Sequence, residues 1–85
     1  MNTRRVVRVV GEAKAMWKRM QKTEPAWAEI LLHLDALRRG KGWPEAMGQF
    51  VERIPLSDGR EIVLGLWHRA PGLLELHGIK AVRPR

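Results

Sequence analysis

Three histidines are the side chains best suited to acid–base chemistry near neutral pH, because imidazole ionises in that range. His33 lies among leucines in a helical segment, where a hydrogen-bonded or surface histidine is the ordinary finding. His68 projects with Leu64 and Leu66 near the end of a predicted hairpin. His77 lies in the last predicted strand, on the side that alternation turns away from the leucines. It is therefore the histidine best placed to meet a substrate.

Trp67 shares the predicted face of His77 and could stack on a nucleobase, since an aromatic ring beside arginines is a usual platform for single strands. The cations that could follow phosphates from the same region are Arg53, Arg69, Lys80 and Arg83. Two plainer interpretations stay open. Trp67 either packs against an arginine or belongs to the core, and arginines scattered over a basic protein need not form a site.

The charge of the chain favours an acidic partner. Sixteen Lys and Arg stand against nine Asp and Glu, which gives a formal charge of +7 and an isoelectric point of about 11.1. Such an excess speeds encounter with polyanions and supplies the sequence-independent part of nucleic-acid affinity. Most of these cations are arginines, whose planar fork matches phosphate and stacks on bases. RNA is the first candidate.

Several classes of site are not favoured by the sequence. It has no cysteine, and its His, Asp and Glu residues do not have the spacing of a known metal site, so we expect no metal and no cofactor. It has no Gly-rich phosphate loop and no nucleophilic serine elbow. Arg8 interrupts the first apolar run, so we expect no secretory signal. No stretch approaches the roughly 20 apolar residues of a membrane-spanning helix, so we expect no membrane span. We expect one cytoplasmic domain over residues 1–85.

The first half of the sequence predicts a strand followed by a helical hairpin. Valines between Arg5 and Val10 favour an extended segment, and Gly11 ends it. Helical spacing of apolar residues then runs from Glu12 to about Lys22, with a basic outer side. Thr23, Glu24 and Pro25 provide an N-cap and a first-turn proline for a second helix, which ends near Gly40. The residues predicted to form its buried stripe are Trp27, Ile30, Leu31, Leu34 and Leu37.

The second half predicts a three-stranded antiparallel meander. The strands run from Phe50 to Leu56, from Arg60 to Arg69 and from Leu73 to Val82, with Gly-containing turns between them. Three-residue loops would align Ile54 with Ile62, Phe50 with Leu66, and Leu66 with Leu76, on the face that receives the helices. This register points Glu52 toward the helices as well. The other face would carry Arg53, Glu61, Val63, Trp67, Arg69, Glu75, His77 and Ile79. The predicted fold is α+β, with order β-α-α-β-β-β and the helical hairpin packed on one face of a small antiparallel sheet.

This order of elements on a short basic chain resembles the RelE/ParE superfamily of toxins, and its last strand resembles the HigB-like branch. The stretches that carry the resemblance are Phe50-Val51-Glu52-Arg53-Ile54, Asp58-Gly59-Arg60 and Leu73-Leu74-Glu75-Leu76-His77-Gly78-Ile79-Lys80, followed by Arg83-Pro84. The resemblance implies an mRNA endonuclease, free or ribosome-dependent, that is held inactive by a cognate antitoxin. Another branch of the superfamily poisons gyrase.

The nuclease branch implies metal-free cleavage with the ribose 2′-hydroxyl as nucleophile. This chemistry needs a base near the hydroxyl, a proton donor for the leaving oxygen and cations against the phosphorane charge. The resemblance assigns His77, Arg53 and Arg60 to catalysis. It leaves Trp67, Arg69, Lys80 and Arg83 to bind RNA.

Two alternatives stay open at this point. One is a catalytically inactive nucleic-acid- or protein-binding module of the same fold, and the other is a small phage-type inhibitor that binds a host protein. The nuclease hypothesis requires that the sheet face away from the helices be exposed, positively charged and equipped with His77.

Overall fold

Residues 4–83 are described by the computed structural model, which begins with the short strand β1 (Val6–Val9). Gly11 follows with a φ of 58°, a value that favours glycine, and leads into helix α1 (Ala13–Thr23). Helix α2 (Trp27–Arg38) comes next. Both helices are far shorter than the roughly 20 residues a bilayer requires, so within residues 4–83 no helix could cross a membrane.

The start of α2 differs from the predicted one. Thr23 is still in the last turn of α1, where its hydroxyl donates to the Arg19 carbonyl at 2.9 Å, so its predicted role as N-cap of α2 is wrong. Instead the Glu24 carboxylate accepts the backbone N–H of Ala26 at 2.7 Å. Pro25 precedes the helix and does not lie in its first turn. An acidic side chain at this end is also favoured by the helix dipole.

The buried side of α2 consists of Ile30, Leu34 and Leu37, as the spacing predicts. Leu31 was expected among them, but its exposed fraction is 43%. A helix turns by about 100° per residue, so Leu31 points away from the sheet together with Leu32. Trp27 is half-buried and meets Trp17 of α1 edge to face, with 4.6 Å between ring centroids. This contact joins the two helices.

The sheet contains four strands in the order β1-β4-β3-β2. Strands β2 (Gly48–Pro55), β3 (Glu61–Ala70) and β4 (Leu73–Val82) form the predicted antiparallel meander. β1 pairs with β4 in parallel, so the sheet is mixed. The α+β class and the element order are confirmed. The two helices cover one side of this sheet.

The predicted register holds throughout the first hairpin, including the pairs Ile54–Ile62 and Phe50–Leu66. In the second hairpin Leu66 pairs with Leu76, as predicted, but the next pair is Gly65 with Gly78. His77 is thus an extra residue on β4, which makes a β-bulge. The bulge turns Ile79 into the core, where it is 7% exposed, so the prediction that Ile79 lies on the open side is wrong. Lys80 lies on the open side instead.

One hydrophobic core lies between the helices and the sheet. Its fully buried side chains are Ile30, Leu34, Leu37, Ile62, Leu64, Leu74 and Leu76. His68 also points inward and is only 5% exposed; its Nδ1 donates to the Ala46 carbonyl at 2.9 Å, while Nε2 has no partner among residues 4–83. Glu52 points toward the helices, as the register requires. There its carboxylate lies 3.7 Å from His33 Nε2.

Candidate functional site on the open face of the sheet

The sheet side that the helices leave uncovered is called the open face. On β3 it is built by alternation, because Leu64 and Leu66 point into the core and thereby turn Val63, Gly65 and Trp67 outward. Its side chains on β2 to β4 are Gln49, Val51, Arg53, Glu61, Val63, Trp67, Arg69, Glu75, His77 and Lys80. The predicted membership is therefore confirmed, with Ile79 as the exception.

Four of these side chains form a contiguous group, the Trp67 cluster, which comprises Trp67, Arg69, Glu75 and His77. The Arg69 guanidinium lies over the Trp67 ring, 4.3 Å from its centroid. The His77 ring stands 5.7 Å from the same indole, tilted by 44°. Glu75 lies opposite Trp67 in the β3–β4 register, with its carboxylate 3.6 Å from Arg69 Nε and 3.0 Å from His77 Nε2. An aromatic ring, a cation, a carboxylate and an imidazole thus share one exposed surface.

The Glu75 contact orients His77 for proton transfer. An ionised carboxylate only accepts hydrogen bonds, so Nε2–H of His77 is the donor in this contact. In the tautomer that carries its proton on Nε2, Nδ1 is the acceptor, and the side chain is 44% exposed. A carboxylate behind an imidazole also stabilises the imidazolium that forms when the ring takes a proton. The pair can therefore act as a base and return the proton as an acid.

The sequence predicted Glu75 on the open face but did not assign it a functional role. Two signals could have identified it: its position two residues before His77 on one strand, and its register position opposite Trp67. Residues at i and i+2 of a strand point to the same side. A carboxylate beside a histidine on the same strand face was thus predictable.

A shallow trough lies beside the cluster along the middle of the open face. It consists of two adjoining hollows of about 330 and 420 Å³, which share Val51 and Gly65. Trp67 and His77 line the first hollow, and Val63, Gly78 and Lys80 line the second. The floor is low because Gly65 and Gly78 face each other and carry no side chains. The trough is mainly apolar, with the cluster at one end and a lysine at the other.

The remaining predicted residues are distributed around this site. Lys80 borders the trough. Arg53 lies on the open face but donates to Glu61 at 3.1 Å. Arg83 is exposed directly after Val82, which pairs with Glu61, so it lies on the side of the β2–β3 turn. Pro84, which completes the Arg83-Pro84 motif, is outside the described residues.

Arg60 lies outside the Trp67 cluster, and the catalytic role that the resemblance assigns to it stays a prediction. Its guanidinium donates two hydrogen bonds to Glu24 at 2.7 and 2.6 Å and one to Asp58 at 2.7 Å. Glu24 lies between the two helices, so Arg60 reaches to the helix side of the sheet. The pairing lowers the pKa of the Glu24 and Asp58 carboxyls and raises that of Arg60. Arg60 therefore connects the β2–β3 turn to the helices.

The positive charge is more dispersed than the sequence predicts. On β2 to β4 the open face carries three cations, Arg53, Arg69 and Lys80, against the two carboxylates Glu61 and Glu75. Helix α1 displays exposed cations on the opposite side of the molecule, namely Lys14, Lys18, Arg19 and Lys22. The open face is exposed and carries His77, as expected, but it is only weakly positive.

Among residues 4–83, no three His, Asp or Glu side chains lie close enough together to hold a metal ion. No known protein family, curated protein or solved structure matches the chain. The resemblance to RelE/ParE toxins thus stays a prediction.

Proposed function

We propose that the chain binds single-stranded RNA on its open face and cleaves it at the Trp67 cluster, as a RelE-like, metal-independent endoribonuclease. The observation that carries the proposal is the contact between His77 Nε2 and Glu75 at 3.0 Å, next to the stack of Arg69 on Trp67. These residues supply a proton-transfer group, a stacking surface and a cation within one exposed patch.

A single strand fits this surface better than a duplex. Bases that are not paired can lie on an aromatic ring, and each such stack contributes about 1–3 kcal/mol to binding. One side of Trp67 is covered by Arg69, whose charge is then available to a phosphate that follows the stacked base. Lys80, at the far end of the trough, can hold a second phosphate.

The cleavage chemistry uses one imidazole twice. His77 takes the proton of a ribose 2′-hydroxyl through Nδ1, and the 2′-oxygen attacks the adjacent phosphorus. The bond from phosphorus to the 5′-oxygen then breaks, and this oxygen takes the proton back from His77. The products are a 2′,3′-cyclic phosphate and a 5′-hydroxyl. Glu75 stabilises the transient imidazolium, and Arg69 stabilises the charge on the phosphorane.

The resemblance to RelE-like toxins adds ribosome-bound mRNA as the substrate, a cognate antitoxin as the inhibitory partner and the cytoplasm as the place of action. These belong to the proposal.

The decisive experiment incubates the purified protein with labelled single-stranded RNA, alone and on translating ribosomes, and maps the new RNA ends. His77→Ala is expected to slow cleavage by on the order of 100-fold, because a general acid–base group is lost. His33→Ala is the matched control, since it removes an imidazole that pairs with Glu52 on the helix side of the sheet. Absence of new ends with the unmodified protein, or undiminished cleavage by His77→Ala, would contradict the nuclease assignment.

Binding without cleavage is the second candidate, favoured by a specific observation. Arg53 and Arg69 each already contact a carboxylate, which leaves less charge for a phosphorane. RNA binding that weakens steeply with added salt and produces no new ends would support this candidate. Salt-insensitive binding to a protein would instead support an inhibitor.

A further inference from the structure

Two of the chain's eight glycines lie in strand interiors without a positive φ, unlike the other six. Six glycines have positive φ values and lie in turns, in connections or at a strand end, where a residue without a side chain is favoured. Gly65 and Gly78 do not have positive φ values. They lie in the interiors of β3 and β4, the two central strands, and pair directly with each other.

Neither glycine is required by the backbone or by crowding. A methyl group on Gly65 would approach the backbone nitrogen of Gly78 at 3.7 Å, which is ordinary van der Waals contact. A methyl group on Gly78 would meet nothing within 4 Å. Glycine weakens a strand interior and commonly marks either a β-bulge or a place where a ligand approaches the backbone. The pair borders the bulge at His77, but without a positive φ at either position the bulge does not depend on glycine.

We propose that the Gly65–Gly78 pair is the floor of a nucleobase subsite, an inference that rests on the proposed RNA-binding function. The floor is flat because it consists of two bare peptide segments, and Val51 and Trp67 line the trough above it. A planar ring can lie on such a floor. Lys80 stands at the rim without an acidic partner among residues 4–83, where it can bind the phosphate attached to that ring.

The subsite adds base recognition to the Trp67 cluster. His77 borders the trough as well as belonging to the cluster, so a base on the glycine floor brings its own ribose close to the imidazole. The 2′-hydroxyl of the seated nucleotide is then the one that His77 deprotonates. A nucleotide without a base would bind only through its phosphates.

The test compares binding of two short strands with 2′-O-methyl riboses, which prevent cleavage: one with bases and one abasic at every position. The unmodified protein is expected to bind the strand with bases about 100-fold more tightly, with about tenfold from the base on Trp67 and about tenfold from the base on the glycine floor. Gly65→Ala and Gly78→Ala are each expected to reduce that preference to about tenfold while leaving affinity for the abasic strand unchanged. Both variants should keep or raise the Tm, because alanine is favoured over glycine within a strand. Ala81→Val adds carbon atoms to β4 outside the trough and should preserve the preference.

Three results would overturn the inference, and they separate it from the proposed function. If the unmodified protein cleaves RNA but binds both strands equally, the base subsite is wrong and the nuclease assignment stands. If the glycine variants keep the full preference, the base is bound elsewhere on the open face. If the unmodified protein binds neither strand and cleaves no RNA, both proposals fail together.

Discussion

Two charged clusters in this protein use the same kinds of side chain in opposite ways. The Arg60 network joins Arg60 to Glu24 and Asp58 through hydrogen bonds of 2.6 to 2.7 Å, and the side chains of Arg60 and Glu24 are only 18% and 7% exposed. The Trp67 cluster has longer contacts, of 3.0 and 3.6 Å, and its Arg69 and His77 side chains are 50% and 44% exposed. We call the Arg60 network the closed cluster, because Arg60 and Glu24 are largely shielded from solvent. We call the Trp67 cluster the open cluster, because Arg69 and His77 are accessible to solvent.

This difference separates a structural role from a binding role. In the Arg60 network one guanidinium serves two carboxylates, and Glu24 also accepts the Ala26 N–H at the start of α2. Its polar groups are thus satisfied within the protein, which favours one geometry. In the Trp67 cluster, Nδ1 of His77 and part of the Arg69 guanidinium are left for a ligand. A charged residue in a sequence gives no indication of which role it has.

The largest effect on stability is expected when the closed cluster loses its arginine. Arg60→Ala leaves Glu24 almost buried without its cation, and we expect the Tm to fall by about 10 °C. Arg69→Ala removes an exposed, loosely paired arginine and should shift the Tm by less than about 2 °C. Thermal unfolding followed by circular dichroism compares the two variants. Equal shifts would mean that the clusters do not differ in structural role.

Acid should weaken the same network. Its hydrogen bonds hold the pKa of Glu24 below its ordinary value of 4.5, so this stabilisation is complete above that value and disappears as the pH falls through the lowered one. The Tm gap between the unmodified protein and Arg60→Ala should therefore shrink by about 5 °C or more between pH 7 and pH 3. A gap that stays constant over this range would show that the Glu24 pairing does not stabilise the fold.

Substitutions in the open cluster should change the affinity for RNA strongly and the Tm only slightly. Trp67→Ala is expected to weaken affinity for single-stranded RNA by about tenfold, which corresponds to the loss of one stacked base. Trp67→Phe keeps an aromatic ring and should retain most of the affinity. Fluorescence anisotropy with a labelled oligonucleotide measures both. If alanine and phenylalanine weaken binding equally, stacking is not the role of this ring.

The smallest effects on stability and on RNA affinity are expected at the pair of Arg53 with Glu61. Arg53 contacts Glu61 at 3.1 Å, but the arginine side chain is 61% exposed, so water competes for the pair. Arg53→Ala should change the Tm by less than about 2 °C and the RNA affinity by less than about threefold. A larger loss of cleavage than of affinity would return Arg53 to the catalytic role that the resemblance assigns to it.

The parts of the fold that were predictable depend on local periodicity. Residues 61–68 alternate between inward and outward positions, and the Ser57-Asp58-Gly59 turn fixes the loop length, so the register of Ile54 with Ile62 followed from the sequence. The same pattern placed Trp67, Glu75 and His77 on one face. Face assignment within a hairpin requires only a period of two and a turn, and both can be read locally.

The errors came from features that local patterns do not contain. The bulge at His77 reversed the side of Ile79, because one extra residue inverts the side of the sheet to which each later side chain of the strand points. The pairing of Arg60 with Glu24, which lies 36 positions earlier in the chain, was not predicted. Leu31 fits the helical spacing of the predicted stripe, but the way α2 packs on the sheet leaves it 43% exposed. Long-range pairing and irregular registers require coordinates.

The position of β4 also determines when this protein can fold during synthesis. It lies between β1 and β3 in the sheet, yet it follows every other element of residues 4–83 in the chain. A growing polypeptide that has reached Ala70 therefore contains both neighbours of β4 but not the strand that joins them, and its apolar surfaces stay uncovered. We expect the nascent chain to expose this apolar surface to aggregation until β4 is available to pair with both neighbours.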